Sequence, residues 1–459
     1  MNETTPHRAA RSLLAATLLF PLAAPAKTPP RPITKIHNIV VIYLENHSFD
    51  NLYGLFPGAD GIANAAPETT RQTDPQGRPY PHLPPALDTR KKPPAPYERI
   101  PAELPNQPFD LGRYFPPDEQ IGDLTHRFYQ HQAQINGGRM DRFAAVSDAG
   151  GLAMGYYDGR TLPLWQYAAK YTLADRFFQA AFGGSFLNHQ WLACACTPRH
   201  ASPPPELRAK LNERGELVKD GPLTPDGYAV NTLYSAQPPF SAHVTNPKML
   251  LPPLTDPTIG DRLSEKKVSW GWYAGGWNDA LAGKADETFQ FHHQPYAYYK
   301  RYGEGTPERA AHLKDAADFF KAIETGTLPA VAFYKPLGSL NEHPGYADVL
   351  SGDRQAAEIV AKIEKSPQWP HTVVIVTYDE YGGFWDHVPP PTEKGNSDRW
   401  GPGSRVPAII ISPFAKRGHV DHTPYDTTSI LKLIETRFGL KPLGTRDAQA
   451  NDLAEALDL

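Results

Sequence analysis

Short apolar runs rich in β-branched residues punctuate the chain, most clearly at 39–44, 373–378 and 406–411, and more weakly at 268–273 and 330–334. Continuous apolar runs of this length mark strands buried on both faces. Helical periodicity separates several of them, at 162–170, 307–324 and 355–365. A last helix is predicted with Thr423 as N-cap, Pro424 in its first turn, a stripe of Ile430, Leu433, Ile434 and Phe438, and Gly439 as its stop. Strands alternating with helices predict an α/β fold with a largely parallel sheet covered on both faces, whose ligands bind beyond the carboxyl ends of the strands.

Proline interrupts this pattern. Of 49 prolines many fall in two excursions, about 60–118 and 198–257. A residue that fixes φ and lacks a donor makes poor strand and helix interiors, so both excursions are expected to be long loops, and loops of that length in a compact domain line a site or are disordered. The N-terminus reads as a signal peptide over 1–26, with Arg8 and Arg11 before an apolar run at 13–22 and Ala24-Pro25-Ala26 after it. The run is shorter than the roughly 20 residues of a membrane span, so a soluble periplasmic or secreted protein, residues 27–459, is expected, with no integral membrane segment. The net charge of −4, with both signs interspersed, argues against a nucleic-acid partner. The only cysteines, Cys194 and Cys196, are too close in sequence for an ordinary stabilising bridge and are expected to be buried and unbridged.

Polar groups collect where the strands end. The run at 39–44 is followed by Glu45-Asn46-His47-Ser48-Phe49-Asp50-Asn51, and the run at 373–378 by Asp379-Glu380-Tyr381-Gly382-Gly383. Carboxylates converging on one sheet edge need positive charge among them, and hard oxygen ligands suit a divalent cation of the calcium, magnesium or manganese type. Either cluster alone also reads as helix caps after strands. In Gly183-Gly184-Ser185-Phe186-Leu187-Asn188-His189, two glycines allow a sharp turn into a helix whose free amides favour an anion. Ser185 is there a candidate nucleophile or merely an N-cap. Four of the 17 histidines, His126, His292, His293 and His343, sit in polar or aromatic settings suited to phosphoryl chemistry, and each alone also reads as an ordinary partly buried histidine.

Taken in order, these motifs resemble the bacterial acid phosphatase A and phospholipase C family. The likeness runs through His126 with the 134–143 segment, His292-His293-Gln294-Pro295, Glu342-His343-Pro344 and the stretch from Tyr378 to Val388. It implies an alkaline-phosphatase-like, three-layer α/β/α sandwich with the proline-rich loops as insertions. It also implies a divalent metal held by Glu45, Asn46, Asp379 and Glu380, with Ser185 as a nucleophile that also touches the metal. His126, His292, His293 and His343, with Asn46, would surround the phosphoryl group, and Asp386 and His387 would orient the ligands from behind. Some members place threonine at the nucleophile and aspartate where this chain has Glu380, which leaves the identity of the metal open.

A small phosphate ester cleaved through a phosphoserine is the expected substrate, with phosphocholine-type lipid head groups as the alternative. Phospholipase C members commonly carry further β-rich domains, whereas this chain stops about 20 residues past its last predicted helix, which favours the phosphatase branch. Trp270, Trp272, Tyr273 and Trp277 would form a choline cage under the alternative, or simply pack a core. A sulfatase is disfavoured because Cys196-Thr197-Pro198-Arg199 is one residue short of that signature. A non-catalytic metal- or phosphate-binding protein is the reading from another class, and the oligomeric state is left open.

Overall fold

The two strongest apolar runs form adjacent central strands. The computed structural model describes residues 1–2, 33–240, 244–393 and 395–459. The chain divides into a unit Met1–Pro32 and a unit Ile33–Leu459. Residues 3–32, and with them the expected signal peptide, lie outside the described residues.

The second unit is built on an eight-stranded sheet. Its strands are β1 (Asn38–Leu44), β2 (Thr172–Ala174), β3 (Trp270–Ala274), β4 (Leu313–Asp315), β5 (Val331–Lys335), β6 (Thr372–Tyr378), β7 (Ala408–Ile411) and β8 (His419–Asp421). Their order is β4-β3-β5-β1-β6-β7-β2-β8, and β7 alone runs against its neighbours. Every residue of β1, β5 and β6 is buried, as strands covered on both faces require. The α/β class and the largely parallel sheet are therefore as expected.

Register makes the site. β1 pairs with β6 in parallel and aligns Leu44 with Tyr378, so Glu45 and Asp379 leave the sheet side by side, and the Asp379 amide donates to Leu44 O at 3.0 Å. On the other flank β1 pairs with β5, whose last residue is Lys335. The helices that matter here are α1 (Phe49–Tyr53), α2 (Phe128–Ile135), α3 (Pro163–Lys170), α4 (Ser185–Cys194), α5 (Pro307–His312), α6 (Ala316–Thr325), α7 (Val349–Glu364) and α8 (Thr427–Phe438).

Several local expectations are corrected. The helix predicted over 307–324 is broken by β4, which pairs with β3, and Asp315 then caps α6 by accepting from Ala317 N at 2.9 Å. Helix α8 starts later than predicted, because Asp426 and not Thr423 is its N-cap, in a capping box with Ser429. Pro424 drives its predecessor toward extended backbone, and Tyr425-Asp426 pairs with Phe177-Phe178 before the helix begins. A further short helix, α9 (Thr445–Gln449), follows. Cys194 and Cys196 form a disulfide, contrary to expectation. Ala195, in the left-handed conformation at the end of α4, turns the chain there, and the two Cα atoms lie 5.1 Å apart. Both proline-rich excursions carry packed side chains, including Leu83, Tyr97 and Leu111 in the first and Leu223, Val230 and Leu233 in the second.

Candidate active site

Ser185 is not an N-cap. Gly184 holds that position and Ser185 opens α4. Gly183, at φ +86°, turns so close to α2 that a Cβ there would stand 2.7 Å from Phe128 N, which explains why glycine is required. Three buried polar side chains brace this turn. His131 Nδ1 accepts from Gly183 N at 3.0 Å, Gln179 Nε2 donates to the carbonyls of Ala181 and Gly183 at 2.7 and 2.9 Å, and Asn188 Oδ1 accepts from Ala181 N at 2.9 Å. The Ser185 hydroxyl is thereby aimed at the tip of β1, with Oγ 3.2 Å from both Glu45 Oε2 and Asn46 Oδ1.

The strand tips bring together all four expected ligand residues. Glu45, Asn46, Asp379 and Glu380 are fully buried. Asn46 N donates to Asp379 Oδ1 at 3.2 Å, while Asp379 Oδ2 and Glu380 Oε1 are buried without a hydrogen bond. Burial and then the neighbouring Glu45 charge push the Asp379 carboxyl well above its usual range, and burial does the same to Glu380. Burial opposes the charge on Glu45 as well, but Lys335 and His293 outweigh it and hold that carboxyl low. Lys335, also fully buried, sits directly on Glu45 Oε1, donates to Leu44 O at 3.2 Å and lies 3.9 Å from Asp379 Oδ2.

The four predicted histidines converge on the same place. His293 Nε2 is 2.8 Å from Glu45 Oε1, His343 Nε2 is 4.0 Å from Glu45 Oε2, and His126 Nε2 is 3.4 Å from Asn46 Nδ2 and 3.6 Å from Glu380 Oε1. His292 packs edge-on to His293, with ring centroids 4.8 Å apart. His126 and His343 each turn Nδ1 to a backbone carbonyl at 2.5 Å, which places the proton on Nδ1 and leaves Nε2 toward the centre. Burial lowers His292, and it takes His293 down to about 4, so both rings are neutral near pH 7.

Ser185, His126, His292 and His343 line a hollow of 260 Å³. A larger hollow, of 550 Å³, lies against Arg176 and Pro389 and contains none of these groups. The second proline-rich excursion contributes Val230, Asn231 and Thr232 to the site wall, as a long ordered loop was expected to. Trp270, Trp272, Tyr273 and Trp277 do not line it. They are core residues, and Trp272 Nε1 donates to His293 O at 2.7 Å, so the aromatic run holds a histidine in place and forms no choline cage.

Asp386 and His387 meet neither Glu45 nor Asp379. Asp386 accepts from Arg405 Nε at 2.8 Å and from Asp50 N at 3.1 Å, and His387 Nδ1 lies 2.6 Å from Asp50 Oδ2. They tie the segment after Glu380 to α1, and so fix the two ligand-bearing segments against each other.

Two groups at the centre escaped the sequence reading. Lys335 stands one residue beyond the weak apolar run at 330–334 and carries no other signal in the sequence. His189 follows Ser185 by four residues on the same helical face, with Nδ1 2.8 Å from Ser185 O and 3.5 Å from Asp379 Oδ2. Among the described residues, Glu45, His189 and His293 are close enough to hold an ion, as are Asp123, His126 and His343.

Buried carboxylates, a serine hydroxyl at a helix start and imidazoles around a small polar hollow are, on this sheet, groups suited to the hydrolysis of phosphoric esters. The chain belongs to the Phosphoesterase family, whose sequence profile matches residues 36–441. It is 25% identical to phospholipase C A of Mycobacterium tuberculosis, over 97% of this chain and 82% of the relative. It is likewise 25% identical to the non-hemolytic phospholipase C of Burkholderia pseudomallei, over 92% of this chain and 59% of the relative. Non-specific phospholipase C1 of Arabidopsis thaliana shares 38% identity over 24% of this chain and 25% of its own. Among solved structures, an alkaline phosphatase superfamily protein from Vibrio parahaemolyticus matches at TM-score 0.33 and 12% identity, covering 74% of this chain and 73% of that one. No helix among the described residues is long and apolar enough to cross a membrane.

Proposed function

We propose that residues 27–459 form an exported, metal-dependent phosphomonoesterase of the acid-phosphatase type that works through a phosphoserine at Ser185. The observation that carries this reading is the Ser185 hydroxyl, at the start of α4, 3.2 Å from Glu45 and from Asn46. Anions are favoured at a helix start, so a phosphoryl group placed there meets free amides and the nucleophile together.

The donor set fits a divalent cation. With the carboxylates ionised, as a bound cation requires, three buried carboxylates against one buried lysine carry a formal charge of −2, and Asp379 Oδ2 and Glu380 Oε1 have no hydrogen bond. Glu45, Asn46, Asp379, Glu380 and Ser185 Oγ would hold it, and calcium, magnesium and manganese are the types that oxygen donors select. Such an ion supplies Lewis-acid activation when bound.

The chain's own groups do the rest. Ser185 Oγ attacks phosphorus, its proton passing to His126 or His343, and the ester P–O bond breaks. His126 or His343, protonated, donates to the departing alkoxide. Water then gives that imidazole a proton and attacks phosphorus, the Oγ–P bond breaks, and Ser185 recovers its proton as phosphate leaves. Asn46, His292 and His293 bind the phosphoryl oxygens, and Asp386 and His387 keep the two ligand-bearing segments in register.

A phospholipase C acting on lipid head groups is the second reading, favoured by the names of the relatives. The small hollow, which Trp270, Trp272, Tyr273 and Trp277 do not line, supports the monoesterase. Ser185→Ala is expected to lose at least about a thousandfold in kcat on a chromogenic phosphomonoester. Activity within tenfold of the parent removes Ser185 from the role, and wild-type turnover of phosphatidylcholine but not of phosphomonoesters replaces the first reading with the second.

A further inference from the structure

Among the described residues, Arg127 is the single arginine or lysine lining the hollow that holds Ser185. It follows His126 directly and precedes α2. Its Nε donates to Asp220 Oδ2, and Asp220 is itself anchored, taking a bond from Gln130 Nε2 at 2.9 Å and one from Gly221 N at 2.8 Å. Asn231 pins the same excursion to the start of α2, accepting from Phe128 N at 3.1 Å and donating to Gly221 O at 2.9 Å. The guanidinium is thus fixed at one edge, and its two terminal amino groups meet no acceptor among the described residues. The side chain is 43% exposed whereas Ser185 is 6% exposed, which sets Arg127 toward the mouth and the nucleophile at the floor. Asp123, the one carboxylate on the wall among the described residues, accepts from Leu124 N at 2.8 Å and lies 3.5 Å from His126 Nδ1.

A phosphoryl group on the floor already has imidazoles and the ligand cluster around it. We infer that Arg127 reads a second anionic group, a carboxylate or a further phosphate, on the leaving alcohol, so that the enzyme prefers phosphomonoesters of anionic alcohols to those of neutral ones. This rests on the monoesterase reading. The free edge of a guanidinium offers two parallel donors, the geometry that carboxylates and phosphates accept, and 260 Å³ accommodates a phosphate with a small alcohol.

The test compares phenyl phosphate with 4-carboxyphenyl phosphate in the wild type, Arg127→Met and Asp220→Asn. Arg127→Met is expected to lose about tenfold or more in kcat/KM on the carboxylated ester, through KM, and less than about threefold on phenyl phosphate. Asp220→Asn, which leaves the cation but frees its anchored edge, should show a smaller loss of the same kind. Equal losses on both esters, or no loss on either, overturn the inference while leaving the monoesterase intact. A wild type that cleaves neither ester but releases phosphocholine from phosphatidylcholine overturns the monoesterase reading, and this inference with it.

Discussion

Lys335→Met isolates the charge balance of the site. Nζ sits on Glu45 Oε1, lies 3.9 Å from Asp379 Oδ2 and packs 5.2 Å from the centre of the Tyr43 ring, with no exposure to water. Methionine keeps much of the stem and removes the charge, leaving Glu45, Asp379 and Glu380 as three buried carboxylates without a counter-charge. Removing one partner of a buried pair costs about 3–5 kcal/mol, which is the loss of unfolding free energy expected in chelator at pH 8. A divalent cation replaces what was lost. The destabilisation should therefore shrink in saturating manganese, because a ligand that binds only the folded state adds stability as its concentration rises above its Kd. With the carboxylates ionised around a bound ion, the formal charge of the site goes from −2 to −3, so the variant should bind the ion about tenfold tighter or more despite being less stable. Urea unfolding followed by tryptophan fluorescence, with and without metal, and a calorimetric metal titration read both effects. A variant within about 1 kcal/mol of the parent in chelator, or one that binds the ion more weakly, refutes the reasoning.

Two further outcomes follow from groups beside the site. Asp353, near the start of α7, is buried with Oδ1 accepting from Leu164 N at 2.8 Å and Oδ2 without a partner, and burial pushes its carboxyl from 3.8 up to about 7. Between those values the folded state binds the proton more tightly than the unfolded chain, so stability falls as pH rises through the window. At about 1.4 kcal/mol per pH unit the fall is about 4 kcal/mol in all. Asp353→Asn keeps an acceptor for Leu164 N and cannot ionise, so it should match the parent near pH 4 and exceed it at pH 8; parallel pH–stability curves would count against this. Gly382 sits at φ +66°, and a Cβ there would stand 2.0 Å from Asn46 O. Gly382→Ala should push apart the segments carrying Asn46 and Glu380, lowering metal affinity and kcat/KM about tenfold or more while the fold persists, and unchanged metal affinity in a titration would contradict it.

What could be read from the residues alone divides along a physical line. β1 and β6 were legible because a strand covered on both faces imprints a local apolar run, and the carboxylates after each run were legible because they break it abruptly. That the two runs are neighbours is a long-range fact, fixed by the Leu44 to Tyr378 register, and no local pattern carries it. The helix expected over 307–324 failed for the same reason: residues 313–315 keep helical periodicity, yet pairing with β3 overrides it. His189 was within reach, since four residues from a candidate nucleophile in a helix means the same face. Lys335 was not. A hydrophobicity pattern treats a lysine after an apolar run as the point where the chain emerges into water, and only the carboxylates on the neighbouring strand tips make its burial tolerable. The acidic half of the site is thus written locally, at two strand ends, whereas its counter-charge acquires meaning only once the sheet order is known. A charged residue that closes a buried strand next to an acidic strand end is the signal that sequence reading should weigh: water is absent there, and the opposite charge must come from a neighbouring strand.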